Sequence, residues 1–213
     1  MRDVYHEELD SIGSTLVEMT GLVGTAMARA TAALLDADLQ VAESVISADD
    51  AVDSLQHALD DRSLDLLARQ QPVAGDLRTI ITSLRMSADL ERMGDLARHV
   101  AKVARLRYPE SAVPEPLRDN IAEMGRIACD LAQKAGEIIE GRDVDTARGL
   151  PDEDDAMDVL HRSLFRALLD QKAQYSTETA IDVTLIGRYY ERFADHAVSV
   201  AQRLVFLVTG EHD

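Results

Sequence analysis

Apolar residues recur along the start of the chain at spacings of three and four: Leu9, Ile12, Leu16, Met19, Val23, Ala26, Ala30 and Leu34. That is the stripe of an amphipathic helix, which keeps one face from water, and it predicts a first helix from about Tyr5 to Leu35. The pattern resets at Asp36-Ala37-Asp38. Ser47, with Asp50 three residues on, resembles a capping box opening a second helix, which carries Val52, Leu55, Leu59, Leu64 and Leu67 towards Gln71. Pro72 has no N–H and suits a turn, and Asp76 puts an acid in the opening turn of a third helix ending near Arg107. Pro109, Pro114 and Pro116 then crowd a short stretch that cannot propagate a helix.

The plan then repeats. Glu18-Met19 matches Glu123-Met124, and Asp49-Asp50-Ala51-Val52-Asp53 matches Asp154-Asp155-Ala156-Met157-Asp158, both at an offset of 105 residues. At the third helix Glu91-Arg92-x-x-Asp95 returns as Glu191-Arg192-x-x-Asp195 at an offset of 100, so the second half has the shorter hairpin. Pro151 is expected to stand at the start of the fifth helix, and Ser176 with Thr177 to cap the sixth. The chain therefore reads as all-α, two pseudo-repeated three-helix bundles of residues 1–108 and 117–213 joined by a linker at 109–116.

Composition supports this picture and narrows the function. A 213-residue chain with 46% hydrophobic content can fill a core, while 4% aromatic residues, no Trp and 11 Gly favour helices over strands and turns. A net charge of −17 argues against nucleic acid or an anionic lipid surface as a partner and suits cations or basic protein surfaces. Cys129 is the single cysteine, the first eight residues lack the apolar core of a signal peptide, and the apolar run Leu204 to Val208 is too short to cross a bilayer. A reducing, cytoplasmic setting is expected, with membrane contact only through partners.

The acids carry the candidate chemistry. In each Glu-Arg-x-x-Asp copy two carboxylates stack on one helix face and repel. Asp53 lies as far before Pro72 as Glu91 lies after it, and Asp49 and Asp95 pair likewise; in the second half Asp154 with Asp195, and Asp158 with Glu191, centre between Gln174 and Tyr175. Equal rise per residue sets each pair at one height. Four carboxylates per half should then face one another, an oxygen-rich arrangement suited to hard or borderline cations such as Mg²⁺, Mn²⁺ or iron. The competing reading is a solvated acidic helix face. Each half supplies its own carboxylates, so two such sites would load independently.

The neighbours are read as structural. Arg92 and Arg192 point about a hundred degrees round the helix from each Glu, towards a neighbouring helix. Gly94 hints at a close backbone approach, since it costs about 1 kcal/mol against Ala within a helix. His99, His196 and His161, the last in Asp158-x-x-His161, are read as satisfied structural histidines. Arg98, Lys102 and Arg105 form a basic ladder complementing a helix C-terminus. A di-iron carboxylate enzyme would show Glu-x-x-His on two helices, and this chain has none. Nor does it carry a Gly-rich phosphate loop, a Cys pair or a nucleophile elbow.

Gln71-Pro72-Val73-Ala74-Gly75-Asp76-Leu77-Arg78, the two Glu-Arg-x-x-Asp motifs, their Asp-x-x-x-Asp partners and the ending Leu207-Val208-Thr209-Gly210-Glu211 together resemble the PhoU family over essentially the full chain. The Gln-Pro and Asp-Leu-Arg pattern has no copy in the second half. The resemblance implies two three-helix bundles and metal ligation at Asp49, Asp53, Glu91, Asp95, Asp154, Asp158, Glu191 and Asp195. The ion's identity (iron, Mn²⁺, Mg²⁺ or Zn²⁺) and nuclearity are left open. It also implies a homodimeric negative regulator of phosphate uptake and of the phosphate-starvation response, an adaptor between the phosphate ABC transporter's ATPase subunit and a sensor histidine kinase. The alternative is a carboxylate-bridged metalloenzyme of redox or hydrolytic type, which the absence of a His ligand motif disfavours.

Overall fold

A computed structural model describes residues 2–170 and 175–211, with all their side chains except those of residues 2–6 and 70. Its α-helices are α1 (Arg2–Asp36), α2 (Leu39–Ala48), α3 (Asp50–Gln70), α4 (Gly75–Arg107), α5 (Arg118–Gly141), α6 (Val144–Leu169) and α7 (Thr177–Thr209), with a 3-10 helix at Glu115–Leu117. Asp49, between α2 and α3, keeps helical angles (φ −59°, ψ −36°), so these two form one interrupted rod. The result is the all-α fold of six long helices that the stripes predict, with no strand among the described residues. Gln174, near which the second hairpin is centred in sequence, lies outside the described residues.

The second rod of each half starts earlier than the Ser47 and Pro151 signals suggest. Past the end of α1, Ala37 turns left-handed (φ 52°) and the Asp38 N–H reaches back to the Ala33 carbonyl at 3.0 Å. The Asp38 carboxylate then accepts the Val41 N–H at 3.0 Å and opens α2. The second half repeats this 105 residues on: Arg142 has φ 51°, the Asp143 N–H meets the Ile138 carbonyl at 3.2 Å, and its carboxylate accepts the Thr146 N–H at 3.1 Å. One aspartate thus closes a Schellman ending and caps the next helix, satisfying orphan groups on both sides. The Ser47 hydroxyl instead donates to the Glu43 carbonyl at 2.8 Å, within α2, and Pro151 lies inside α6. Both features mark irregularities in a helix already running, where proline removes a rung. Ser176 caps α7 as expected, accepting the Thr179 N–H at 3.0 Å.

The predicted stripe of α1 is its buried face: Ile12, Leu16, Met19, Val23, Ala30 and Leu34 are buried, with Leu9 and Ala26 packed against them. In α3 the stripe runs through Val52, Leu59 and Leu66, whereas Leu64 is 62% exposed. From residue 59 a buried face continues at 63 and 66, so residue 64 steps off it.

One hydrophobic core runs through both halves. Helix α1 lies antiparallel to α5 through small residues: Gly24 faces Ala132, Gly125 faces Thr31 and Gly136 faces Thr20. At the centre, Thr31 Oγ1 and the fully buried Tyr190 hydroxyl share a hydrogen bond of 2.7 Å, and burial pushes the Tyr190 pKa up. Helix α4 lies antiparallel to α7, tied at one end by Arg107 to Asp182 and Glu178 and midway by Asp89, which accepts from Arg203 Nε at 2.6 Å. No helix among the described residues is long and apolar enough to cross a membrane.

Candidate functional site

The α3–α4 hairpin brings Asp49 and Asp53 opposite Glu91 and Asp95. Burial raises the Asp49 pKa, opposed by Arg98 and aided by the charges of Asp53 and Asp95, and burial raises the Glu91 pKa together with Asp95, Asp53 and Asp49. Gly94 lets the helices approach, since a Cβ there would lie 3.2 Å from Asp49 Oδ1 and 3.6 Å from Val52 Cγ1. The close approach expected of Gly94 is present, beside this carboxylate.

The positive partner of this first cluster is Arg98, which the ladder reading assigned to the helix terminus. Its guanidinium forms ion pairs with both Asp49 and Asp95, which are 6% and 9% exposed. The contact to Asp95 is a hydrogen bond. The contact to Asp49 is close but not aligned as one, so Asp49 Oδ2 and Arg98 Nε remain without a hydrogen-bond partner. Arg92, expected to serve a neighbouring helix, turns back one turn on α4 and donates to Asp95 Oδ2 at 2.6 Å. At i, i+3 the two side chains overlap on the helix surface, and the paired acid outweighs the outward direction of the Cα–Cβ bond. Lys102 adds positive charge near Asp49.

The second cluster has the same acids and different company. Offset by 100 residues, Val198 and Gln202 stand where Arg98 and Lys102 do. Asp154 has no ionic partner among the described residues, and its Oδ1 is buried without a hydrogen bond. Burial pushes its pKa up to about 6, with the charges of Asp195, Asp158 and Glu191 adding to the shift. Asp195 is exposed. The nearby arginines sit on the outer acids, each on its own helix: Arg188 on Glu191 and Arg162 on Asp158 at 3.3 Å.

Histidines flank both clusters, and only in part as expected. The His99 ring is held by the Asp95 carbonyl at 2.7 Å and lies 5.2 Å from the Tyr189 ring. His196 Nδ1 meets Asp89 at 3.0 Å, linking α7 to α4. Neither His161 nor His196 is fully satisfied as expected: the His161 ring packs 4.9 Å from Phe165, yet its Nε2, like His196 Nε2, is buried with no hydrogen-bond partner. Burial lowers the His161 pKa, opposed by the charges of Asp158 and Asp195.

Among the described residues no three His, Cys, Asp or Glu side chains stand close enough to hold a metal ion as they are. The two clusters differ in what a cation would meet. In the first, a guanidinium already lies between the inner carboxylates, so the residues do not fit a metal. In the second, a buried carboxylate oxygen lacks a hydrogen-bond partner, as at Asp49, but no guanidinium stands beside it among the described residues; with an unpartnered imidazole nitrogen and three further acids, this is the donor chemistry a hard or borderline cation takes.

A family model described as PhoU domain matches residues 16–104 and 121–204. The chain is similar, at 50% identity over 99% of both chains, to phosphate-specific transport system accessory protein PhoU homolog 2 of Mycobacterium tuberculosis. It is 48% identical to homolog 1 of Mycobacterium leprae, over 99% of this chain and 95% of that one. Among solved structures it resembles PhoU from Pseudomonas aeruginosa, with TM-score 0.88 and 30% identity over 97% of this chain and 100% of that one. These are names of accessory and regulatory proteins, not of enzymes, in keeping with a chain that shows no nucleophile elbow and no Glu-x-x-His pair. With two family matches in sequence, one in each half, and the same fold, the chain belongs to the PhoU family.

Proposed function

We propose that this chain is a cytoplasmic accessory protein of a phosphate-specific ABC transporter and a negative regulator of the phosphate-starvation response. It acts as a homodimeric adaptor between the transporter's ATPase subunit and a sensor histidine kinase. The observation that carries this reading is the 50% identity, over 99% of the chain, to a protein named as such an accessory factor. The physical chemistry agrees: long helices with exposed acidic faces bind proteins more readily than they turn over substrate. The kinase partner and the homodimer rest on the family resemblance.

A divalent or iron-type cation belongs to the same proposal, at the second cluster. Asp154, Asp158, Glu191 and Asp195 would hold it, with His161 beside them, and the ion would relieve the repulsion that raises the Asp154 pKa.

Crosslinked pull-down of the tagged chain from phosphate-replete cells tests the adaptor. Recovery of the transporter ATPase subunit or the histidine kinase is expected, and recovery of neither counts against it. Deleting the chain should raise phosphate-starvation gene expression in rich medium.

A further inference from the structure

The fourfold acidic motif occurs twice, but among the described residues only one copy has its inner carboxylates answered by a cation. We infer that Arg98 is the resident cation of the first cluster, so that this half binds no metal and uses a guanidinium clasp instead.

Arg98 lies one turn beyond Asp95 on α4 and reaches across to Asp49 on the facing rod. Asp49 sits where that rod is interrupted: its carbonyl accepts from the Val52 N–H at 2.9 Å and more weakly from the Asp53 N–H at 3.4 Å. The clasp therefore pins an irregular point of the helix to α4, with Gly94 giving the space. A guanidinium has several donors in a fixed plane and keeps its charge at any physiological pH, so it can serve two carboxylates at once. A divalent ion would have to expel it, or share the pocket with a positive charge a few ångströms away.

The second half has no such group among the described residues. Val198 takes the place of Arg98, Gln202 that of Lys102, and the arginines Arg188 and Arg162 stay on the outer acids. The inner carboxylate Asp154 is left without an ionic partner among the described residues, and its Oδ1 is buried with no hydrogen bond. Ligand geometry alone does not distinguish the halves, since both offer the same four acids. The residue one turn past the last acid does.

This inference bears on the same acids as the proposed metal at the second cluster, but its test separates the two. The full chain carrying E191Q and D195N keeps only the first cluster and retains Arg98. Dialysed against Mn²⁺ and analysed for metal, it should hold none, and Mn²⁺ should not raise its melting temperature. Adding R98Q, which keeps a donor but removes the charge, or R98V, the residue of the second half, should raise Mn²⁺ affinity at the first cluster at least about 100-fold by removing the repulsion. Mn²⁺ held by the E191Q/D195N chain overturns the inference, as does a folded R98Q or R98V variant of it that gains none. The measurement with Arg98 in place needs no destabilised protein and can overturn the inference alone. If the wild-type chain binds no Mn²⁺ while R98Q does, the clasp stands and the metal reading of the second cluster falls.

Discussion

The first and second acidic clusters carry the same residues at the same spacing, yet they are different physical objects. Around Asp49 and Asp95 the charge is answered from α4, by Arg98, which reaches both carboxylates, and by Arg92, which pairs with Asp95. Around Asp154 no cation among the described residues answers it, and burial with the neighbouring carboxylates pushes the pKa to about 6. A motif fixes which acids face each other. What they do depends on the residue facing the inner pair, and that position is free to differ between repeats without disturbing either hairpin.

The strongest way to break this comparison is to remove the clasp. Replacing Arg98 by Val leaves two largely buried carboxylates without their shared cation, and such a loss costs about 3 kcal/mol. Denaturant unfolding of R98V and wild type at neutral pH measures it. The matched change in the second half, Val198→Ala, removes no ion pair and should cost far less. A loss below about 0.5 kcal/mol for R98V would mean that the pair is worth no more than an exposed one.

Metal is the next discriminator. At a Mn²⁺ concentration one hundred times its dissociation constant, wild type should gain about 2.7 kcal/mol over chelator-treated protein, because only the folded chain presents the site. The E191Q/D195N chain should gain none. Equal stabilisation of both would place the ion elsewhere.

Most of the fold was legible from periodicity. The α1 stripe, the proline-rich break and the 105-residue offset required only that apolar residues fall on one face and that a duplicated sequence fold alike. Helix starts were less so, because Ser47 and Pro151 carry local signals that lose to Asp38 and Asp143. Those two aspartates stand at the repeat offset, each after the one residue that turns left-handed, and that coincidence was the available signal. At the site, spacing set these acids opposite one another, but the role of Arg98 depends on contact across helices that no pattern along α4 reveals. The point where the repeat breaks, Arg98 against Val198, was visible and marks it. Likewise, His161 against Gln56 marked a histidine that the packing leaves with a free nitrogen.

A smaller effect should appear as pH dependence. Asp154 is held near 6 in the folded chain against 3.8 in an unstructured one, so the folded state keeps its proton longer. Its contribution to stability is complete below 3.8 and is lost as pH rises through about 6. In chelator, the Asp154→Asn variant should match wild type near pH 4 and exceed it at pH 7 by on the order of 1 kcal/mol, since solvent at this half-buried group screens much of the shift. Identical pH profiles for the two proteins would show that Asp154 is solvated, and the contrast with Asp49 would vanish.

The smallest effect is also the most specific. Gly94 faces the clasp, while its repeat counterpart is Ala194, so the first half forgoes a methyl group that the second half keeps. Gly94→Ala should gain about 1 kcal/mol of helix propensity. Against this, the new Cβ would sit 3.2 Å from Asp49 Oδ1, an atom that cannot retreat while Arg98 holds the carboxylate. The net cost in wild type should be about 0.5 kcal/mol, the strain slightly exceeding the propensity gain. In an Arg98→Gln background Asp49 is free to give way, and the same substitution should become stabilising by about 0.5 kcal/mol. The sign change across this double-mutant cycle measures how tightly the clasp fixes the carboxylate. An additive cycle would mean that Gly94 is merely tolerated and that the two clusters differ only in charge.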